Sequence, residues 1–132
     1  MEKKLLQTPA MIVDKNIMMR NLRICQEKAE QSGKKLWPML KTHKSLSIAR
    51  MQHDLGASGF LAGTLDECEA VCDEGYENIM YAYPVADEQG CKRVVALAAR
   101  CNFIVRLDTF EAAERLNAYA KQAGKKVQYT II

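Results

Sequence analysis

Strand and helix alternate along this sequence, and the fold class it predicts is α/β, with parallel strands joined by helical crossovers. Three observations lead there. Six short apolar runs, at 10–14 (AMIVD), 36–40 (LWPML), 59–62 (GFLA), 78–83 (NIMYAY), 102–107 (NFIVRL) and 127–132 (VQYTII), have the length and continuity of buried strands. Between the runs, apolar residues recur at helical spacing. Four of the helical segments then meet a glycine, at Gly33, Gly56, Gly75 and Gly124, as expected where a chain leaves a helix in the left-handed conformation.

Taken in order, the run at 10–14 precedes a helix with Ile17, Leu22, Cys25 and Ala29 on one face, and the run at 36–40 precedes one with Leu46, Ala49 and Leu55. After 59–62, Thr64 and Glu67 have the spacing of a capping box, and Leu65, Cys68, Val71 and Cys72 form the apolar face behind it. The helix after 78–83 is marked by Val94, Leu97 and Ala98. The one after 102–107 is capped by Asp108 or Thr109 and carries Ala112, Leu116 and Ala120. From Leu36 onward the strand starts fall at 36, 59, 78, 102 and 127, which is a βα repeat.

Such a repeat builds a parallel sheet, either open and doubly wound or closed as a barrel. No G-x-G-x-x-G or Walker-type loop follows the first strands, which lowers the weight of a nucleotide-type open sheet. A complete (β/α)8 barrel takes about 250 residues. With 132 residues ending inside an apolar run, the expectation is a partial (β/α)8 TIM-type barrel, residues 1–132 being its N-terminal part.

Composition excludes several classes. The chain is 48% hydrophobic and 27% charged, enough to bury a core. Its net charge of +3 comes from 19 basic and 16 acidic residues spread along the chain, without the basic block of a nucleic-acid binder. No stretch has the length of a membrane span or a signal peptide, so no membrane partner is expected and the cytoplasm is the default location. Five cysteines, none in a Cys-x-x-Cys pair, read as free thiols; Cys68 and Cys72, four apart on a helix, read as small buried hydrophobes rather than metal ligands.

The residue that draws attention is Lys41. In a parallel barrel the loops after the C-terminal ends of the strands build the active site, and Lys41 directly follows the run at 36–40. An amine partly withdrawn from water is nucleophilic enough to attack an aldehyde, whereas a solvated loop lysine beside Lys44 serves only solubility. His43, two residues on, either reaches a reaction centre or is bonded to backbone. Tyr81 and Tyr83 share a strand face, and Tyr83, nearer the strand's C-terminal end, either packs in the core or touches a ligand. His53 near a helix C-terminus reads as a surface residue, and Arg106 with Asp108 as a structural ion pair or cap.

In order along nearly the whole chain, TPAMIVD (8–14), WPMLKTHKS (37–45), GASGFLAGTLDECEAV (56–71), NIMYAYPV (78–85) and VRLDTFEAAERL (105–116) resemble the alanine racemase N-terminal superfamily. The likeness is greatest to its D-threonine aldolase and D-serine dehydratase branch. The resemblance implies a fold-type III barrel that binds pyridoxal 5'-phosphate (PLP), with Lys41 carrying the cofactor as a Schiff base and His43 and Tyr83 as cofactor-binding candidates. It also implies a C-terminal β domain, absent here, whose His/Cys site holds a divalent metal in this branch; no residue of this chain is assigned to that metal. Two places before the lysine the branch has histidine where this sequence has Met39, which cannot hydrogen-bond as an imidazole does.

The function so implied is that of the N-terminal fragment of a PLP-dependent lyase or racemase acting on a small D-amino acid, with a homodimer expected for the full-length protein and no activity from these 132 residues alone. The alternatives are a non-catalytic PLP-binding protein and an inactive truncated remnant.

Overall fold

The computed structural model describes residues 5–132 and contains a four-stranded parallel sheet in the order β1-β2-β3-β4. The strands are β1 (Phe60–Ala62), β2 (Asn78–Pro84), β3 (Asn102–Leu107) and β4 (Gln128–Ile131). The helices are α1 (Lys15–Gln31), α2 (Leu46–Asp54), α3 (Leu65–Asp73), α4 (Glu88–Ala98) and α5 (Phe110–Gln122), with a single 3-10 turn at Leu40–Thr42. Strands in spatial order equal to chain order, each reached through a helix, are the signature of a barrel wall.

The core lies between the sheet and α3, α4 and α5. Alternate residues of β3 (Phe103, Val105 and Leu107) are buried and meet Val71, Val94, Leu97 and Leu116 within one apolar cluster. Phe60 and Ile79, paired in register, are fully buried beside Phe103. Each such side chain contributes about 1.5–3 kcal/mol by leaving water. The opposite sheet face, carrying Leu61, Met80 and Ile104 in register, is only half-buried.

Helix ends follow the sequence. Asp14, Ser45, Thr64, Asp87 and Thr109 each accept a hydrogen bond from a first-turn backbone N–H through a side-chain oxygen, a contact that contributes about 1 kcal/mol per helix. Thr109, not Asp108, caps α5. The four glycines expected to end helices all have positive φ, between +63° and +112°. Gly56 has a second reason to lack a side chain, since a Cβ there would lie 2.9 Å from Gln26 Nε2.

Two expected strands differ. Residues 10–14 form no strand: Met11, Ile12 and Val13 are 99%, 61% and 58% exposed and Asp14 becomes the cap of α1. No strand edge among the described residues lies beside them, and an extended run without a partner leaves its backbone groups to water. Residues 36–40 form half a strand. Leu36 accepts from Ser58 N–H at 2.9 Å, Pro38 from Leu61 N–H at 2.9 Å, and Met39 bridges Leu61, after which the chain tightens into the 3-10 turn. Pro38 has no N–H to give to the ladder, so continuous pairing is interrupted there. With so little sheet in front of it, α1 keeps Ile17 and Cys25 exposed and Leu22 and Ala29 half-buried, against the expected apolar face. It docks through Gln26, whose Nε2 donates to Gly56 O at 3.2 Å.

Register is tied down at the N-terminal ends of the strands by a chain of amides. Asn78 donates to Ser58 O (3.0 Å), Asn102 to Asn78 Oδ1 (2.8 Å) and Gln128 to Asn102 Oδ1 (2.6 Å). Gly59 closes the same end, where a Cβ would stand 2.8 Å from Asn78 O and from Trp37 Cδ2. The C-terminal ends are thereby left as the edge at which side chains can serve a site.

β4 is an open edge among the described residues. Tyr129 and Ile131 are 59% and 79% exposed, and a cavity of about 790 Å³ lies between β4 and α5, lined by Leu107, Phe110, Leu116, Val127 and Ile131. An unpaired apolar strand edge recruits further strands. The chain is therefore expected to self-associate with rising concentration in size exclusion with light scattering, and Ile131→Lys to shift it toward monomer; a wild-type monomer at every concentration would count against an exposed edge.

Candidate active site

Buried Leu40 anchors the 3-10 turn, so the next residue, Lys41, is turned outward beside the C-terminal ends of the strands. Lys41 Nζ donates a hydrogen bond to Tyr83 Oη at 2.6 Å and lies 5.2 Å from the centroid of that ring. Tyr83 is placed by an irregularity in β2. Between Met80 and Pro84 four steps along β2 oppose two along β3, from Ile104 to Arg106. Such bulges re-aim side chains at sheet rims. Tyr81 and Tyr83 meet edge to face at 6.4 Å, as their shared face predicts, but Tyr83 is 44% exposed and outside the core.

Lys41 is exposed, so the withdrawal from water that would sharpen a nucleophilic amine is not supplied by these residues. Its stem is closely fitted all the same. A Cβ on Gly63, just after β1, would lie 2.9 Å from Lys41 Cβ and 3.2 Å from Lys41 Cδ. Met39 is half-buried and spends its backbone on the bridge to Leu61.

His43 ends the turn. Its Nδ1 accepts from Ser45 N–H at 3.1 Å, the backbone bond that one of the two sequence readings expected, while its Nε2 is buried with no hydrogen-bond partner. Desolvation lowers its pKa below the ordinary 6.5, opposed by the Gln52 side chain and the Glu67 charge. Gln52 Oε1 is itself buried without a partner, so the pair falls short of a hydrogen bond and burial decides the direction. Lys44 adopts φ +49°, rare for a residue with a Cβ, and its Nζ lies 3.2 Å from Glu67 Oε1. It is the loop cation of the sequence reading.

The remaining candidates are elsewhere. His53 stacks on Tyr76 with centroids 4.9 Å apart. Arg106 has a buried Nε with no partner rather than the expected contact with Asp108. Burial pushes the thiols of Cys68 and Cys101 up to about 12, Cys101 also through neighbouring Cys72, which keeps them protonated and inert. Among the described residues no group of three His, Cys, Asp or Glu is arranged to hold a metal, and no helix is long and apolar enough to cross a membrane. Sequence reasoning missed Glu67 and Gly63 as neighbours of the lysine; the only signal was the capping-box spacing, which names a helix start and not a site.

A depressed histidine pKa has a definite consequence for stability. Above the unfolded value near 6.5 both states hold His43 neutral and its buried place costs nothing in protons; as pH falls from there toward the lower folded value the unfolded chain binds its proton first, and stability is lost. An NMR titration is expected to give His43 a midpoint below 6.5; a midpoint at or above that value would mean that Glu67, not burial, dominates.

Comparison with known proteins places this geometry. Residues 13–131 match the family model described as alanine racemase, N-terminal domain. The chain is 30% identical over 126 residues to D-threo-3-hydroxyaspartate dehydratase of Delftia sp. (strain HT23), and 26% identical over 129 residues to 3-hydroxy-D-aspartate aldolase of Paracoccus denitrificans; each alignment covers 96% of this chain and 33% of the relative. Among solved structures it superposes on D-threonine aldolase from Filomicrobium marinum with TM-score 0.90 at 28% identity, covering 95% of this chain and 34% of that one. On the Delftia dehydratase the TM-score is 0.88 at 30% identity, covering 96% and 34%. The chain thus spans about a third of the length of the relatives it matches, and its parallel strands correspond to the N-terminal part of their barrel-like fold. By sequence and by fold alike, this chain belongs to the alanine racemase N-terminal domain family.

Proposed function

We propose that this chain is the lysine-bearing N-terminal part of a PLP-dependent enzyme acting on D-amino acids, with Lys41 Nζ as the covalent attachment point and His43 and Tyr83 beside the cofactor. One observation carries the reading: Lys41 Nζ stands at the C-terminal ends of parallel strands, 2.6 Å from Tyr83 Oη, at the edge where such folds keep their chemistry. The residues suit the group. The amine is accessible, Gly63 makes room beside its stem, and His43 Nε2 is a buried polar atom lacking a partner.

PLP, when bound, supplies an electron sink for charge at the substrate's Cα. The chain's own part is positional and acid–base. Lys41 Nζ can take or return the proton at that carbon, and Tyr83 Oη, accepting its hydrogen bond, keeps the amine pointed. The relatives are named for D-threonine, 3-hydroxy-D-aspartate and D-threo-3-hydroxyaspartate, and we extend to the whole protein their common class, a D-amino acid with a hydroxyl on the β carbon. Both aldol cleavage and dehydration occur among those names. In this reading the cofactor phosphate is gripped by residues outside these 132. The same holds for a divalent metal of the kind implied by the metal-free form of the Delftia dehydratase.

Borohydride trapping of PLP on the 132-residue chain, followed by peptide mass spectrometry, is expected to mark Lys41 weakly and without saturation, with no turnover of D-threonine, D-serine or alanine. Lys41→Ala should remove the specific mark, and Lys44→Ala, which leaves the attaching amine in place, should weaken it without abolishing it. The reverse pattern would move the attachment point to Lys44.

A further inference from the structure

We propose that Glu67 is the positioning residue for Lys41, holding the two segments that flank the lysine; the inference rests on the reading of Lys41 as the cofactor lysine. In an ordinary capping box the acidic residue reaches back to the backbone N–H of the cap, here Thr64. Glu67 reaches one residue further. Its Oε2 accepts from Gly63 N–H at 2.7 Å, while Thr64 Oγ1 caps α3 by accepting from Glu67 N–H at 3.1 Å. The carboxylate is therefore free of the usual capping duty and spends one oxygen on the loop after β1. The other oxygen, Oε1, lies 3.2 Å from Lys44 Nζ, an ion pair without a hydrogen bond.

Those two partners flank Lys41. Gly63 is the residue against which the lysine stem rests, with a Cβ there 2.9 Å from Lys41 Cβ and 3.3 Å from Glu67 Oε2. Lys44 is the left-handed residue that closes the turn, its N–H donating to Leu40 O at 2.8 Å. A left-handed non-glycine residue persists only where its surroundings hold it. The Glu67 side chain is 14% exposed, and a polar group so withdrawn from water is costly without partners. Both its partners belong to the segments that flank the lysine, so the carboxylate that needs them also ties them together. Without Glu67, Lys44 relaxes, the loop at Gly63 loses its tie, and Lys41 Nζ is no longer aimed.

The test measures aim rather than activity. The full chain is exposed briefly to PLP and reduced with borohydride, and labelling of Lys41 is expressed relative to Lys121, a cation on α5, in the same sample. Wild type should favour Lys41. Glu67→Ala should lower that ratio about tenfold, within the roughly 100-fold that a displacement of about 1 Å can cost, and should raise labelling of Lys44. Glu67→Gln, which keeps an acceptor for Gly63 N–H, should fall between. Gly63→Ala keeps the Glu67 carboxylate but places a Cβ 2.9 Å from Lys41 Cβ and 3.3 Å from Glu67 Oε2; it should lower the ratio while far-UV circular dichroism shows a folded chain, and the same spectrum taken on Glu67→Ala guards against mere loss of folding there. Wild-type ratios in both Glu67→Ala and Gly63→Ala would overturn the inference and leave Glu67 a structural residue. If wild type itself shows no preference for Lys41, the cofactor-lysine reading fails and this inference with it.

Discussion

Pairing around β1 is the constraint on which the rest depends. On one side β1 pairs through Leu61 with the half-strand ending at Met39, and on the other with β2 in the register Phe60 to Ile79. These contacts bring residues 41 and 83, 42 apart in sequence, within one hydrogen bond at the same sheet edge. They need no attraction between the two side chains. The parallel ladder and the amide chain through Asn78, Asn102 and Gln128 fix the opposite edge, and the fixed length of each strand does the rest. The hydrogen bond at the mouth is a consequence of packing elsewhere, which is how a rigid scaffold can present an exposed side chain in a defined place.

Stability and reactivity are divided between the two faces of the sheet. Phe60, Ile79, Phe103 and Val105, buried against α3 and α4, supply the apolar burial. The Cys68 thiol within that layer is held protonated by the same burial. The candidate site lies at the rim, where Lys41 and Tyr83 are exposed and His43 is half-buried.

Much of this was legible in the sequence. The strands at 78–84 and 102–107, the five helices and the glycines that end them follow from short apolar runs, periodicity and capping residues, all of which act locally. Residues 10–14 and 36–40 misled because an apolar run states that a segment can pair, not that an edge is beside it; Met11 to Val13 have none, and Pro38 interrupts the other. The same limit hid the α1 face. At the site, Lys41 and His43 were readable from their place after the run at 36–40, and Tyr83 from strand alternation. Its exposure depends on an irregularity in β2 that no local pattern announces. Glu67 was read as half of a capping box, and only the fold shows its carboxylate turned to Gly63 and Lys44.

The central claim is that the parallel sheet presents Lys41, and no other lysine, for attachment of the cofactor. A crystal structure of the chain after reduction with PLP tests it most directly. The account predicts continuous density from Lys41 Nζ into the cofactor, with Tyr83 Oη still beside that nitrogen. Density running instead to Lys44 or to a helix-surface lysine such as Lys121, with the Lys41 side chain turned away from Tyr83, would contradict it.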